Sequence, residues 1–438
     1  MGISLLRVPA FILHLLQCLA MLSSKIRKVA TSLEGAPISP LSDSSSLQTQ
    51  LPTPASAATK IRLSIAATAW IDALGAPQEF QKRESFSFVT TMLPNSNFNL
   101  PPGVWTDDTS MMLCLAHSIS TYKETPDSAV SGGFDEIHQL TQYQRWYKHG
   151  FLSAIDDCFD IGMTIKCALD LFDRHSPDEA LHRIHRDLAG EHRSGNGSLM
   201  RILPIGLAYW HDEPQAKLYA KRSSQTTHPS TMCIESCEMW TGAIARIMEA
   251  TTSNLQSSFS KISLLEFISS YPYTSAMLRQ ALTVPFGAPP RPDLRIDLEK
   301  YYMKYHPLLR LIHDTQGSDG LSTVDNEFPY CIPPADRLPS SGFVVHSLVA
   351  ALYCFFATKT FEEGALMAIN LGDDADTVGA IYAGLAACWY AAEEGKADRV
   401  FWTKRVKEWQ TMSLRSELLE QVAESLVLFE QRMSQESN

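Results

Sequence analysis

Two short acidic runs carry the residues best suited to chemistry. Trp105-Thr106-Asp107-Asp108-Thr109 leads into SMMLCLAHSI, and Gly372-Asp373-Asp374-Ala375-Asp376-Thr377 leads into VGAIYAGLAACWY. Each packs carboxylates and a threonine hydroxyl into a few residues at the start of an apolar, helix-like stretch. Hard cations such as Mg²⁺ take oxygen ligands of this kind. If the two runs meet in space they make a two-metal site, which points to hydrolytic chemistry.

Taken singly, each run also has a plainer reading. Thr or Asp at a helix start caps backbone N–H groups, and acids there complement the helix dipole. Two runs together shift the balance. Aspartates at alternate positions beside a threonine offer three oxygens to one point, and Gly372 lets backbone and ligand approach closely. Four carboxylates brought together without a cation would repel by about 4 kcal/mol per close pair at an effective dielectric near 20. Convergence would therefore imply metal, but spacing along the chain does not itself show convergence.

The elements that must position these runs are helical. IRLSIAATAWIDALG has helical spacing and ends on the stop signal Gly75-Ala76-Pro77. Further helices are expected in SMMLCLAHSISTYK, AIDDCFDIGMTIKCALDLFDRH, PQAKLYAKRSSQTTH, CIESCEMWTGAIARIMEATT and SGFVVHSLVAALYCFFAT, and from Asp376 to Glu394. Period-2 strand patterns are scarce and no fixed repeat appears. The expectation is an all-α fold: one large multi-helix domain over 60–435 with a dinuclear metal cleft. A Pro-rich insertion at about 284–340 is expected to run over the surface, broken by one short helix, DLEKYYMKYHPLLRLIHD. The stretch from Trp402 to Met433 is amphipathic and should pack on the body.

The chain has 438 residues, 45% hydrophobic and 19% charged, ordinary globular values that allow a large core. A net charge of −11 argues against capture of nucleic acid or anionic membrane. Nine cysteines show no paired framework and no CxxC, so they read as reduced and mostly buried. Residues 1–34 are apolar and basic without an acid before Glu34, and read as a targeting leader. A mitochondrial presequence, a signal peptide and a mis-assigned start all remain open; the apolar run is short for stable membrane insertion. Cytoplasmic or mitochondrial location is expected. Residues 35–59, GAPISPLSDSSSLQTQLPTPASAAT, are Pro/Ser/Thr-rich and expected to form a disordered linker.

Beyond the acidic runs, Ser194-Gly195-Asn196-Gly197-Ser198 is either a tight turn or a loop whose N–H groups approach a diphosphate. His228 in THPS reads alone as a cap or core histidine, and Glu79 as a surface acid after a turn.

In their order along the chain, IDALGAPQEF, WTDDTSMMLCLA, RWYKHGFLSA, FDIGMTIKCAL, SGNGSLMRILPIGL, THPS, SSGFVVHSLVAALYCF and NLGDDADTVGAIYAGLA together resemble the ADP-ribosylglycohydrolase family, which includes the dinitrogenase reductase-activating glycohydrolases. The resemblance covers most of residues 60–390 and implies an all-α domain with two Mg²⁺ ions, Mn²⁺ being able to substitute. It implies Thr106, Asp107 and Asp108 as ligands of one ion, and Asp374, Asp376 and Thr377 as ligands of the other, with Asp376 bridging. It makes Glu79, Asp107 and Asp108 the catalytic carboxylates, Glu79 being implicated in proton transfer. Asn196, Gly197, Ser198 and His228 become substrate contacts, while Met200 and Arg201 support the loop. The implied reaction is hydrolysis at C1″ of ADP-ribose in an ADP-ribosylated protein or small molecule. The alternatives are a catalytically silent ADP-ribose-binding relative and an unrelated two-metal helical phosphohydrolase. Two positions depart from the family pattern. Asp373 stands where many relatives have glycine, and is expected to point away or hold a metal-bound water. Ile71 stands where glycine is common and matters only if it crowds the turn. The acceptor and the oligomeric state are not legible.

Overall fold

The computed structural model describes residues 47, 51–125, 128, 131–252, 259–293, 295–316 and 328–436; the leader assigned to 1–34 lies outside them. Of the expected linker, Leu47 and residues 51–59 are described, and they belong to the folded body. Leu47 and Pro52 are buried. Thr53 N donates to Trp389 O at 2.9 Å and Ala55 N to Thr251 O at 3.4 Å. Those carbonyls close the last turns of two helices, where intrahelical donors run out. The folded chain thus starts before the Lys60 expected from composition.

Helix α1 (Ala57–Gly75) opens where Ser56 Oγ accepts from Thr59 N at 3.1 Å. After it come α2 (Asp107–Thr121), α3 (Glu136–His149), α4 (Met163–Arg174), α5 (Pro177–Asp187), α6 (Leu203–Ala208), α7 (Glu213–Gln225) and α8 (Thr231–Thr252). Helices α9 (Lys261–Ser270) and α10 (Ala276–Leu282) precede the Pro-rich region, and α11 (Arg295–Tyr305) and α12 (Pro307–Gln316) lie within it. The chain ends with α13 (Val344–Ala357), α14 (Phe361–Ile369), α15 (Ala375–Tyr390), α16 (Lys404–Met412) and α17 (Ser416–Glu436). Beside them among the described residues are the 3₁₀ turns Ala76–Gln78 and Glu191–Arg193 and the isolated β-bridges Asn95–Leu100 and Gly195–Phe343.

All sixteen residues of α15 are buried. Its small and apolar residues on every side suit a helix at the centre of a core. Helix α1 lies along it, with α13, α14 and α17 around the pair. A Cβ at Gly75 would sit 2.8 Å from Asp376 Cα, so the glycine sets how closely the end of α1 meets the start of α15. Ile71 does not crowd the turn. It is fully buried and fits the space left by Gly379, where a Cβ would come within 2.9 Å of Ile71 Cγ2.

Two helix expectations need correction. The helix expected over AIDDCFDIGMTIKCALDLFDRH begins only at Met163, after Gly162. Residues 154–162 are irregular, with Asp156 at φ 57° and Asp160 at φ 54°. Left-handed backbone is incompatible with continuing an α-helix. In the insertion, the single helix is two, divided at His306-Pro307, because proline removes a donor and clashes with the preceding turn. Six of the eight described cysteines are buried. No helix among the described residues is long and apolar enough to cross a membrane.

Candidate active site

The first acidic run is organised by a residue to which the sequence reading gave no role. Asp72, fully buried near the end of α1, accepts from Thr106 N and Thr106 Oγ1, each at 3.0 Å. Its second oxygen accepts from Thr109 N at 3.0 Å and Thr109 Oγ1 at 2.6 Å. Burial pushes its carboxyl up to about 6, against these hydrogen bonds, which favour the charged form. The N–H groups at the start of α2 are therefore taken by a carboxylate from another helix. Thr106 occupies the N-cap position without using its side chain to cap. Asp107 and Asp108, in the first turn, remain available for other work.

The second run behaves alike. Asp374 is the N-cap of α15, yet its side chain makes no capping bond. Its Oδ2 accepts instead from Asn196 Nδ2 at 2.6 Å, and Asn196 also donates to Ser347 Oγ at 2.8 Å. The two runs meet: Thr377 Oγ1 donates to Asp108 Oδ2 at 3.2 Å across 269 residues of sequence. Helix capping alone explains neither this contact nor the unused caps.

Glu79 reaches the same place. The 3₁₀ turn Ala76–Gln78 ends α1 and carries the chain to Glu79. Phe80 N donates to Asp373 O and Asp373 N to Gln81 O, both at 2.7 Å, which ties the Glu79 loop to the second acidic loop. Asp373 is left-handed at φ 56°, and its charge is felt by Arg83 and His346. One oxygen each from Glu79, Asp374 and Asp376 lie within 4.8 Å of one another. Glu79, which the family resemblance assigns to proton transfer, thus also stands among the possible cation ligands.

A further carboxylate joins them. Asp160, in the irregular segment before α4, shares a hydrogen bond with Glu79. Its charge acts on Asp107, Asp374 and Asp376 as well. Burial first, and repulsion among the acids second, raises Glu79, Asp107, Asp108 and Asp376 far above the ordinary carboxylate range. Burial also raises Asp160 and Asp374, the latter against its bond from Asn196. Glu79 Oε2 and Asp108 Oδ1 are buried with no hydrogen-bond partner. Orphaned, like-charged oxygens with hydroxyls beside them form a donor set that suits a hard divalent cation. The residues present therefore fit a metal.

The glycine-rich loop lies across this cleft, pinned by Asn196 N to Gly342 O at 3.0 Å and Val344 N to Ser194 O at 3.0 Å. Of the four expected substrate contacts, Asn196 faces the acidic cluster. The side chains of the two others that bear one are placed beneath the loop. Ser198 is fully buried, its Oγ 2.9 Å from Ser224 Oγ, so it can offer a ligand only its backbone. His228 is 2% exposed, with Nδ1 2.8 Å from Thr227 Oγ1 and its ring against Gly197. Burial lowers its imidazole to about 3, so it stays neutral. Arg201 donates to Gly197 O at 3.0 Å and to Thr227 Oγ1 at 2.6 Å, and its guanidinium lies 4.6 Å from the Tyr143 ring centre. It supports the loop. Gly197 N and Ser198 N take no protein acceptor among the described residues.

Asp72 and Asp160 carried signals that could have found them. Asp72 is an acid in the apolar second half of α1, where every residue from Ala67 to Gly75 is buried and an unpaired carboxylate is costly. Asp160 stands between Phe159 and Ile161, an acid enclosed by apolar residues.

Residues 53–437 match the ADP-ribosylglycohydrolase family. The chain is 26% identical over 357 residues to ADP-ribosylarginine hydrolase Tri1 of Serratia proteamaculans, covering 81% of this chain and 75% of that protein. It is 23% identical over 341 residues to ADP-ribosyl-[dinitrogen reductase] glycohydrolase of Rhodospirillum rubrum, covering 74% of this chain and 83% of that one. A solved structure described as an ADP-ribosylglycohydrolase-related protein complex matches with a TM-score of 0.53 at 25% identity, covering 85% of this chain and 99% of that chain.

Proposed function

The chain belongs to the ADP-ribosylglycohydrolase family, and from that premise we propose that it is a Mg²⁺-dependent hydrolase of the C1″ glycosidic bond in ADP-ribosylated arginine. The observation that carries the cation dependence is the meeting of the two acidic runs at Thr377 and Asp108, with partnerless carboxylate oxygens around it. Arginine as acceptor is supported by the name of the Serratia relative and by the Glu79–Asp160 pair. Two adjacent carboxyl groups match the planar fork of a guanidinium.

Thr106, Asp107 and Asp108 would hold one cation, and Asp374, Asp376 and Thr377 the other, with Glu79 in reach. Two such ions supply Lewis-acid charge beside the ribose hydroxyls and an attacking water. The chain's own groups do the rest. The N–H groups of Gly197 and Ser198, which take no backbone acceptor, would serve a diphosphate as hydrogen-bond donors. Asn196 holds Asp374 and fixes the loop relative to the cleft. As the C1″ bond opens, positive charge grows on the ribose in an oxocarbenium-like state, which the surrounding carboxylates favour. Glu79 would pass a proton to the leaving nitrogen and take one from the attacking water.

The test is release of free ADP-ribose from a panel of acceptors (arginine, serine, acetyl and poly-ADP-ribose linkages) with Mg²⁺ and with EDTA. Release from arginine alone, lost in EDTA, is expected. The double variant Asp107→Asn with Asp374→Asn should abolish turnover while the helical circular dichroism spectrum survives. Hydrolysis of a nucleotide phosphate ester with none of the ADP-ribosyl bonds would replace the proposal with a phosphohydrolase. Tight ADP-ribose binding without turnover would make the chain a silent binder.

A further inference from the structure

Arg83 lies in QKRES, a polar stretch that reads as solvated surface, yet it is only 9% exposed. Its Nε donates to Leu371 O at 2.7 Å. Its Nη2 donates to Leu338 O at 2.8 Å and to Ser340 Oγ at 3.0 Å, and its Nη1 to Pro333 O. All four acceptors are uncharged, and burial lowers the guanidinium's proton affinity, with only a partial offset from the charges of Asp373 and Glu84. What an arginine supplies here is its planar fork, which reaches several acceptors at fixed angles; a lysine ammonium cannot.

Those acceptors belong to two loops of consequence. Leu371 begins the loop that delivers Asp374 and Asp376. Pro333, Leu338 and Ser340 end the Pro-rich segment. Ser340 extends the lock: its Oγ lies 3.0 Å from Gly372 O, and its carbonyl accepts from Asp374 N at 3.0 Å. The Glu79 loop is itself stitched to Asp373 through Phe80 and Gln81. Phe80 at φ 65° and Asp373 at φ 56° are non-glycine residues in left-handed backbone. Such backbone persists only where the surroundings over-determine it. Arg83, three residues from Phe80, is the group that ties all three segments together.

We propose that Arg83 is a positioning residue of the active centre, whose guanidinium fixes the Glu79 loop against the Asp374–Asp376 loop through the end of the Pro-rich segment, so that divalent-cation affinity depends on it. The proposal rests on the reading that these carboxylates hold a cation. It gives the Pro-rich segment a role, as part of the frame of the site.

The experiment is a calorimetric Mn²⁺ titration of the full chain, with thermal unfolding in EDTA and in Mn²⁺. Arg83→Lys and Ser340→Ala are compared with wild type and with Lys261→Met. Lys261 is a buried amine that donates to Phe355 O and Thr358 O elsewhere in the core. Arg83→Lys should weaken Mn²⁺ by about 10- to 100-fold, as loss of a group that orients ligands typically does. Ser340→Ala should act in the same direction by a smaller factor. Lys261→Met should lower the melting temperature and leave Mn²⁺ affinity unchanged. Wild-type affinity in Arg83→Lys, whatever its melting temperature, overturns the proposal. If that variant does not fold, wild-type affinity in Ser340→Ala overturns it instead. Absence of Mn²⁺ binding by the wild type overturns the cation reading itself, and this inference with it.

Discussion

Replacing Asp72 with Asn separates stability from function. Its two oxygens receive four donors, from the backbone and hydroxyls of Thr106 and Thr109. An asparagine keeps one acceptor oxygen and turns an NH₂ group toward donors on the other side. About two charge-assisted bonds are lost, each contributing roughly 1.5 to 3 kcal/mol, or about 3 to 6 in all. Against that, the buried charge disappears. The carboxyl is raised from 3.8 to about 6. Because that rise is already net of the four bonds, the relief of about 3 kcal/mol at 1.36 kcal/mol per pKa unit offsets their loss, and the variant's stability should lie within about 3 kcal/mol of wild type, a few degrees in the melting temperature of a domain this large. The effect on the site should be greater, because the start of α2 then loses the carboxylate that aims Asp107 and Asp108. Divalent-cation affinity should fall by about 10- to 100-fold, and ADP-ribose release at limiting Mg²⁺ should fall with it. Calorimetric Mn²⁺ titration beside thermal unfolding measures both. A variant several degrees less stable that binds Mn²⁺ like wild type would refute the reasoning, for Asp72 would then serve only the fold.

Other expectations come from the same contacts. Asn196→Ala removes the donors to Asp374 and Ser347, and kcat/KM for an ADP-ribosylated protein should drop by about tenfold or more, since a hydrogen bond to a charged group contributes about 1.5 to 3 kcal/mol. His306 donates through Nε2 to Leu282 O at 3.0 Å, and burial lowers its imidazole to about 4. The unfolded chain takes up a proton there below about pH 6.5 while the folded chain does not, so stability falls as pH drops from 6.5 toward 4. His306→Gln, which keeps a donor for Leu282, should remove up to about 3 kcal/mol of that loss in denaturant unfolding at pH 4.5 compared with pH 7.

The parts of the site that the sequence makes legible are those whose chemistry is dense and local. Thr106-Asp107-Asp108 and Asp374-Ala375-Asp376-Thr377 are conspicuous because acids and hydroxyls stand together before apolar helices. Their convergence is a tertiary fact, fixed by α1 lying along α15 with Gly75 between them, and no spacing encodes it. Asp160 escaped because helical periodicity runs through AIDDCFDIGMTIKCALDLFDRH. Its left-handed backbone breaks that periodicity, and its partner Glu79 lies far away in sequence. Arg83 escaped for the opposite reason: its neighbours Lys82 and Glu84 are polar, and only the carbonyls of Pro333, Leu338 and Leu371 bury it. The start of the folded chain before Lys60 was hidden in a stretch of ordinary linker composition, because its hydrogen bonds go to the ends of α8 and α15.

Crystals of the full chain grown with Mn²⁺, with data collected at the manganese absorption edge, give the most direct test of the central claim. Two anomalous peaks are predicted, one beside Thr106, Asp107 and Asp108 and one beside Asp374, Asp376 and Thr377, with Glu79 in reach. Manganese bound only elsewhere on the chain, or none in this cleft at saturating concentration, would contradict the account.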